Sequence, residues 1–209
     1  MITFRDGTTR DVKITEGADL NNADLRNVDL TGANLWNANL RGADLRGVIL
    51  DYADLYGADL SNTDLRDTNV NNVDFHYTNL QGADLRGIIV NYKDFAKINF
   101  EGANFENTDL QNVNFRYANL RNANLQGANL QNANLRDSNL TDVNLRNANL
   151  QGAKMFVAIL QGADLRNTNL QGADCERVVF IDADLRGADL TYTNLTGANF
   201  TNANIEQYV

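Results

Sequence analysis

The side chains with the greatest capacity for chemistry are Arg and Asp residues that recur at a fixed spacing. Arg26, Arg46 and Arg66 lie 20 residues apart, and an Asp stands two residues before each of them. A guanidinium beside a carboxylate forms a bidentate ion pair, whereas a row of free Arg would suit a phosphate or carboxylate ligand. Because each of these Arg has its own Asp, we interpret the row as a charge-compensated surface. An anion site is the alternative.

The other reactive residue types do not form a recognisable catalytic set. His76 is the only histidine and Cys175 the only cysteine, so the chain cannot supply the usual ligands of a zinc site. The Asp residues lack the spacing of a calcium loop, and neither a glycine-rich phosphate loop nor a nucleophile elbow is found. We therefore predict no catalytic residue, no cofactor and no metal, and a protein that is not an enzyme.

These side chains are carried by a five-residue unit that repeats without insertion or deletion from Ala18 to Ile205. Its consensus is Ala-Asp/Asn-Leu-x-x, and an apolar residue occupies every fifth position, 38 in all, of which 26 are Leu. A helix would spread these leucines around its axis, and a strand would alternate them between its faces. Asn, Asp and Gly recur in the units and favour turns. The pattern therefore predicts a solenoid that turns once per unit with Leu inside.

The spacing of the outward residues predicts the size of one coil. Arg residues that follow the Leu are most often 20 residues apart, and four Gln share that step: Gln111, Gln131, Gln151 and Gln171. Four units would then form a coil, and the repeat would contain about 9–10 coils. The Gln side chains are expected to hydrogen-bond to one another along the axis.

The unbroken Ala-Asp/Asn-Leu-x-x register resembles the pentapeptide repeat family. The resemblance covers residues 18–205 and implies an all-β fold, a right-handed quadrilateral β-helix. It also implies that the Leu and the small residue two positions before it point inward. Lys93 departs from that rule, and its ammonium is expected to reach solvent or to force a local bulge.

The same resemblance supplies one hypothesis for function. Some pentapeptide repeat proteins mimic DNA, bind type II topoisomerases and protect against quinolones. Such a mimic needs a continuous acidic surface, and no side of this repeat is strongly acidic. The leading hypothesis is instead a non-enzymatic scaffold that binds another protein of unknown identity.

Segments outside the repeat are predicted to close its ends. Residues 1–17 alternate apolar and polar side chains around the turn signal Asp6-Gly7, with Val12 on its far side, which is typical of a hairpin. It would cover the open edge of the first coil, and a flexible leader is the alternative. Residues 206–209 form a short tail, which either folds over the last coil or abuts a second chain in a homodimer.

Two groups of outward apolar residues are candidate contact surfaces. Aromatic residues gathered on one side are typical of a partner-binding surface, and plain surface decoration is the alternative. The candidate partner-binding residues are Trp36, Ile49, Tyr52, Tyr56, His76, Ile89 and Tyr92, with Tyr77 and Tyr117 on a bordering corner. The candidate self-association residues are Ile159, Val179, Ile181, Tyr208 and Val209.

Charge and composition limit the remaining classes. The net charge is −9, which disfavours direct binding to a nucleic-acid backbone. The sequence contains no run of eighteen apolar residues, so it predicts no membrane span. The first residues lack the apolar core of a signal peptide. A single Cys is typical of a reducing compartment, so the expected location is the cytoplasm.

Overall fold

Each five-residue unit turns the backbone through one corner. The amide of the small residue donates to the carbonyl of the preceding core residue, as from Val28 to Leu25 at 3.0 Å. The residue between them, Asn27, has a φ of 57°, a conformation that Asn and Gly adopt with the least strain. The carboxylate of Asp24 accepts the amide of Arg26 at 3.2 Å, which is an Asx turn. The consensus therefore encodes the corner itself.

Successive coils pair through the backbone at intervals of 20 residues. The computed structural model describes residues 2–4, 7–10, 14–90 and 92–205. Parallel bridges join Asp24 to Asp44 and Asp44 to Asp64, and the pattern repeats to the last units. The amide of Leu25 donates to the carbonyl of Asp44, and the amide of Asp44 donates to the carbonyl of Ala23, both at 2.9 Å. The chain is thus a β-helical solenoid in which each coil contains four units.

The interior is filled by two side chains from each unit. Leu45 and Ala43 illustrate the rule, with exposures of 1% and 0%, and the prediction that both positions point inward is confirmed along the repeat. Four phenylalanines replace Leu within about one coil and pack together, with ring centres 5.2 Å apart for Phe95 and Phe100 and 5.1 Å apart for Phe100 and Phe105. Phe115 stacks on Phe95 at 5.6 Å. These edge and stacked contacts fill the interior of these coils with aromatic rings.

The first residues pair with the first coil. Strand β1 (Ile2–Phe4) pairs antiparallel with β2 (Thr9–Arg10) on one side and with β3 (Ala23–Asp24) on the other, giving the order β2-β1-β3. Strand β3 belongs to the first coil, so β1 occupies the hydrogen-bonding edge that this coil would otherwise leave open. Asp6 and Val12 of the predicted hairpin lie outside the described residues.

The last coil is less enclosed than the others. Its core residues Leu190, Leu195 and Phe200 are partly buried, and Ile205 is 38% exposed. Residues 206–209, including Tyr208 and Val209, lie outside the described residues. Within the described part of the chain there is no helix long and apolar enough to cross a membrane.

Candidate functional site

The outward aromatic residues form a contiguous stack across three coils. Trp36 and Tyr56 occupy equivalent positions 20 residues apart, and their ring centres are 4.9 Å apart at an interplanar angle of 29°. Tyr56 then contacts Tyr77, with ring centres 5.1 Å apart and planes tilted by 58°. We call the units centred on Leu35, Leu55, Phe75 and Phe95, together with the adjoining corner residues Tyr52 and Tyr92, the aromatic wall.

The third ring of the stack is Tyr77, which was predicted to lie on a bordering corner and not to be a partner-binding residue. His76 occupies the position equivalent to Trp36 and Tyr56, but its Nδ1 lies 2.6 Å from the Asp74 carboxylate. The next residue along the corner, Tyr77, takes the place beside Tyr56. Sequence spacing alone selects His76, because it does not show which of two adjacent corner residues leans towards the previous coil. The sequence feature that could have indicated Tyr77 as the third ring is its place at a position that is usually Asn or Gly.

The remaining predicted partner-binding residues are exposed near the stack. Tyr52 and Tyr92 are 72% and 79% exposed and share one corner two coils apart. Ile49 and Ile89 are about half exposed, also two coils apart. The structure records no ring contact between the described atoms of Tyr52 or Tyr92 and the Trp36–Tyr56–Tyr77 stack. These four residues therefore border the stack without belonging to it.

A column of carboxylates accompanies the aromatic rings. Asp54, Asp74 and Asp94 occupy equivalent outward positions in successive coils, and a bridge joins Asp54 to Asp74. Asp54 accepts the amide of Tyr56 at 3.0 Å, and Asp74 accepts that of His76 at 2.9 Å. Among the described residues, no Arg forms an ion pair with any of the three carboxylates. Other side chains contact two of them: Nδ1 of His76 lies 2.6 Å from Asp74, and the side-chain amide of Asn114 donates to Asp94 at 2.9 Å.

Lys93 is held by the backbone of the coil before it. Its side chain is only 8% exposed, so the ammonium does not extend into solvent as one expectation had it. It donates to the carbonyl of Asn71 at 3.1 Å and to the carbonyl of Val73. The nitrogen also lies 5.4 Å from the ring centre of Phe75. Burial lowers the pKa of Lys93 to about 8, because the charged form loses hydration.

An open cleft lies beside this lysine on the aromatic wall. Its volume is about 300 Å³, and its lining includes Asp74, His76, Tyr92, Lys93 and Asp94. The regular pairing is interrupted here, since the described residues show no bridge between Asp74 and Asp94 although Asp94 is bridged to the following coil. Two carboxylates and an exposed tyrosine ring thus converge at one depression.

The Arg and Asp side chains of another side of the solenoid pair with one another. We call this side the Arg/Asp wall; it consists of the units centred on Leu25, Leu45, Leu65 and Leu85, and it continues from Leu145 to Leu185. Arg46 binds Asp44 through two hydrogen bonds, Nε to Oδ1 at 2.9 Å and Nη2 to Oδ2 at 2.6 Å. Its Nε also lies 3.4 Å from Asp64 in the next coil. The Arg46 hydrogen bonds hold the pKa of Asp44 below its usual value. The prediction of a charge-compensated row is confirmed for the Arg residues that follow an Asp. Arg146 follows Asn144 instead, and its Nε is buried without a hydrogen-bond partner among the residues that the structure describes, 4.0 Å from Asp164.

Amide side chains form further rows along the axis. Gln131 donates to Gln151 at 3.2 Å, and Gln151 donates to Gln171 at 2.9 Å, which confirms the predicted ladder for these three residues. Gln111 instead donates to Asp109 within its own unit. A carboxylate two residues earlier is a stronger acceptor than the next amide, so it removes Gln111 from the ladder.

The candidate self-association residues are only partly brought together. Ile159 and Val179 are bridge neighbours in adjacent coils, and Ile159 is 41% exposed. Ile181 is partly buried beyond the corner that follows Val179.

Cys175 is part of the core and is not grouped with acidic residues in the described part of the chain. Cys175 is buried, its Sγ lies 3.9 Å from Sδ of Met155, and burial raises the pKa of its thiol to about 12. It is therefore a core residue, as predicted. Over the described ranges, no group of three or more His, Cys, Asp or Glu is arranged to hold a metal ion.

Comparison with known proteins agrees with this geometry. The family model of pentapeptide repeats matches residues 16–47, 53–91, 158–197 and 179–207, and that of the pentapeptide repeat region matches residues 98–175. The chain therefore belongs to the pentapeptide repeat family. No curated protein matches the sequence.

Several solved structures are similar to the chain. HetL, a pentapeptide repeat protein involved in heterocyst differentiation regulation in the cyanobacterium Nostoc sp. strain PCC 7120, is 28% identical over 86% of this chain and 90% of its own, with a TM-score of 0.47. Rfr23 from the cyanobacterium Cyanothece 51142 is 26% identical over 73% and 91%, with a TM-score of 0.33. QnrB1, a plasmid-mediated fluoroquinolone resistance protein, is 20% identical over 86% and 85%, with a TM-score of 0.47.

Proposed function

We propose that this protein is a non-enzymatic scaffold whose aromatic wall binds another protein. The observation that carries the proposal is the continuous Trp36–Tyr56–Tyr77 stack on the outside of the solenoid. Large aromatic side chains that are already ordered lose little conformational entropy on binding and dominate the energetics of many interfaces. The interior is occupied by Leu and Phe, so the wall is the part of the repeat that is particular to this chain.

The architecture that presents the wall is part of the same proposal. The family resemblance implies that the coils wind in the right-handed sense with a quadrilateral cross-section. Residues 1–17 would then act as a cap on the first coil, for which the pairing of β1 with β3 gives support. A rod of this kind holds the three rings at a fixed spacing of about one coil, roughly 4.8 Å.

The DNA-mimicking topoisomerase binder is the alternative. It requires a long row of free carboxylates that can replace phosphates. The Asp residues of the Arg/Asp wall are engaged with Arg, and the carboxylates without an Arg on the aromatic wall number only three, with Lys93 and Lys97 in the unit of the third. We therefore favour the scaffold. A supercoiling assay with DNA gyrase checks this choice, and inhibition at micromolar protein that is lost when the carboxylates are replaced would favour the mimic.

The scaffold proposal is tested by comparing captured proteins. The wild-type chain and the variant Trp36→Ala/Tyr56→Ala would be immobilised and incubated with lysate of the native host. A matched control replaces two exposed tyrosines farther along the chain by the most common residue other than Gly at their positions, Tyr117→Asn/Tyr192→Asn. We expect a partner retained by the wild type and the control but lost by the wall variant. Identical capture by all three chains would remove the aromatic wall from consideration.

A further inference from the structure

The aromatic wall differs from the Arg/Asp wall in the partners of its carboxylates. On the Arg/Asp wall each carboxylate of the first coils is paired with an Arg two residues later. On the aromatic wall the equivalent positions after Asp54, Asp74 and Asp94 are Tyr56, His76 and Ala96. Asp54 and Asp74 are therefore followed by rings and Asp94 by an alanine, and none of the three by a guanidinium group.

Two lysines lie in the same unit as Asp94: Lys97 is exposed at the corner after Ala96, and Lys93 lines the cleft. The ammonium of Lys93 is turned onto the carbonyls of Asn71 and Val73 and is almost fully buried. It consequently offers little positive charge at the surface, and the outer part of the cleft is bounded by Asp74, Asp94 and the exposed ring of Tyr92. Three carboxylates and aromatic faces, against one exposed lysine in these units, are complementary to a cation that can also stack.

We propose that the aromatic wall binds an extended basic segment of its protein partner, with Arg or Lys side chains over the Trp36–Tyr56–Tyr77 rings and in the cleft between Asp74 and Asp94. This inference rests on the proposed scaffold function and names the chemistry of the partner. Three coils place Asp54 and Asp94 roughly 10 Å apart, a length over which an extended segment presents two side chains of the same face. Arg suits the site better than Lys, because its planar group both stacks on rings and pairs with carboxylates.

The chain carries its own reporter for this interaction. Trp36 is the only tryptophan, and it is the first ring of the stack, so its fluorescence reports occupancy of the wall. The probe is a short peptide of alternating Arg and Gly, compared with the same peptide in which citrulline replaces Arg. Citrulline keeps the shape and removes the charge. We expect saturable quenching or a spectral shift with the Arg peptide only, and equal binding of the citrulline peptide would overturn the proposal.

Charge variants separate a local site from general attraction to an acidic protein. The wall variant is Asp54→Asn/Asp74→Asn/Asp94→Asn, and the control is Asp59→Asn/Asp109→Asn/Asp189→Asn, which removes the same charge from other sides of the solenoid. Asn is the natural alternative to Asp at these positions and accepts the same turn hydrogen bond, so both variants should fold. We expect the wall variant to weaken binding of the Arg peptide by about tenfold or more and the control by less than about twofold. Equal weakening by the two variants would contradict a site on the wall.

The outcome for the partner protein distinguishes this inference from the function on which it rests. If Trp36→Ala/Tyr56→Ala abolishes capture of the partner while the Asp-to-Asn wall variant retains it, the scaffold function stands and the basic-segment proposal fails. If neither variant changes capture, the wall is not the docking surface and both proposals fail. Loss of the partner with both variants, and retention by the control, would support both.

Discussion

The ammonium of Lys93 donates to the carbonyl of Val73, which is the acceptor that the amide of Asp94 would use in a regular coil. The same relationship is intact one coil later, where the amide of Asn114 donates to the carbonyl of Lys93 at 2.9 Å. A side chain has therefore replaced one backbone hydrogen bond between coils. Lys93 thus places a charged group at a position that the other units fill with Ala, Thr, Val, Ser or Ile.

Replacement of Lys93 by the consensus residue should stabilise the protein. Lys93→Ala removes a buried cation and leaves the Val73 carbonyl free to accept the amide of Asp94. We expect the free energy of unfolding to rise by about 1–3 kcal/mol, because the desolvation of the ammonium is relieved. Urea denaturation measures the change. Lys154→Ala is the control, since Lys154 is exposed and its replacement should change stability by less than about 0.5 kcal/mol. A lower stability of Lys93→Ala would show that the ammonium contributes more than the hydrogen bond it displaces.

The stabilising effect of Lys93→Ala should depend on pH. The pKa of Lys93 is about 8 in the folded chain against an ordinary value of 10.5. Between these values the unfolded chain binds more protons at this residue, so the wild type gains stability as pH rises through that window. The difference in unfolding free energy between Lys93→Ala and the wild type should therefore be largest below pH 8 and shrink towards pH 10.5. A difference that stays constant from pH 7 to 10.5 would contradict a lowered pKa.

The pKa of Asp44 should report its ion pair. Hydrogen bonds from Arg46 hold this pKa below the ordinary 3.8, so the pair stabilises the fold above that pH and its contribution is lost as pH falls through the folded value. In Arg46→Gln we expect the Asp44 pKa to return towards 3.8, measured by carboxyl carbon NMR titration. Arg116→Gln removes a guanidinium that pairs with Asp137 and should leave the Asp44 titration unchanged. An unaltered Asp44 titration in Arg46→Gln would mean that other groups lower its pKa.

The Gln ladder should contribute measurably to stability only where the amides pair. Gln151 takes part in two hydrogen bonds between coils, whereas Gln111 bonds to Asp109 in its own unit. Gln151→Ala should lower the free energy of unfolding by about 0.5–1.5 kcal/mol, and Gln111→Ala by less than that. Thermal or urea unfolding of the two variants provides the comparison. Equal losses would indicate that side-chain packing, and not the ladder, is responsible.

The repeat made much of the fold predictable. A period of five with Asn, Asp and Gly at the corners excludes a helix stripe and a flat strand, and the inward positions of Leu45 and Ala43 follow from it. The 20-residue step of the Arg and Gln rows likewise anticipated the bridges from Asp24 to Asp44. Local turn chemistry is encoded within each unit, so it can be read without knowing what the unit packs against.

The candidate site was predictable only in outline. The spacing of Trp36 and Tyr56 indicated a shared side, but it assigned the third place to His76 and not to Tyr77. Tyr77 and not His76 contacts Tyr56, because the hydrogen bond between His76 and Asp74 draws the imidazole towards the carboxylate. Which of two corner residues approaches the previous coil is a property of side-chain packing, which the sequence period does not contain.

Sequence alone determined the period, the inward column, the corners and the charge-compensated Arg/Asp wall, because each depends on residues within one unit or at a fixed step of four units. Tertiary structure decided how the exceptions are accommodated. Only the stacking of coils shows that the Lys93 ammonium takes the Val73 carbonyl, that Gln111 leaves its ladder for Asp109, and that a cleft lies between Asp74 and Asp94. Each of these depends on competition between a side chain and neighbouring polar groups, and its result follows from distances that exist only after the coils have stacked.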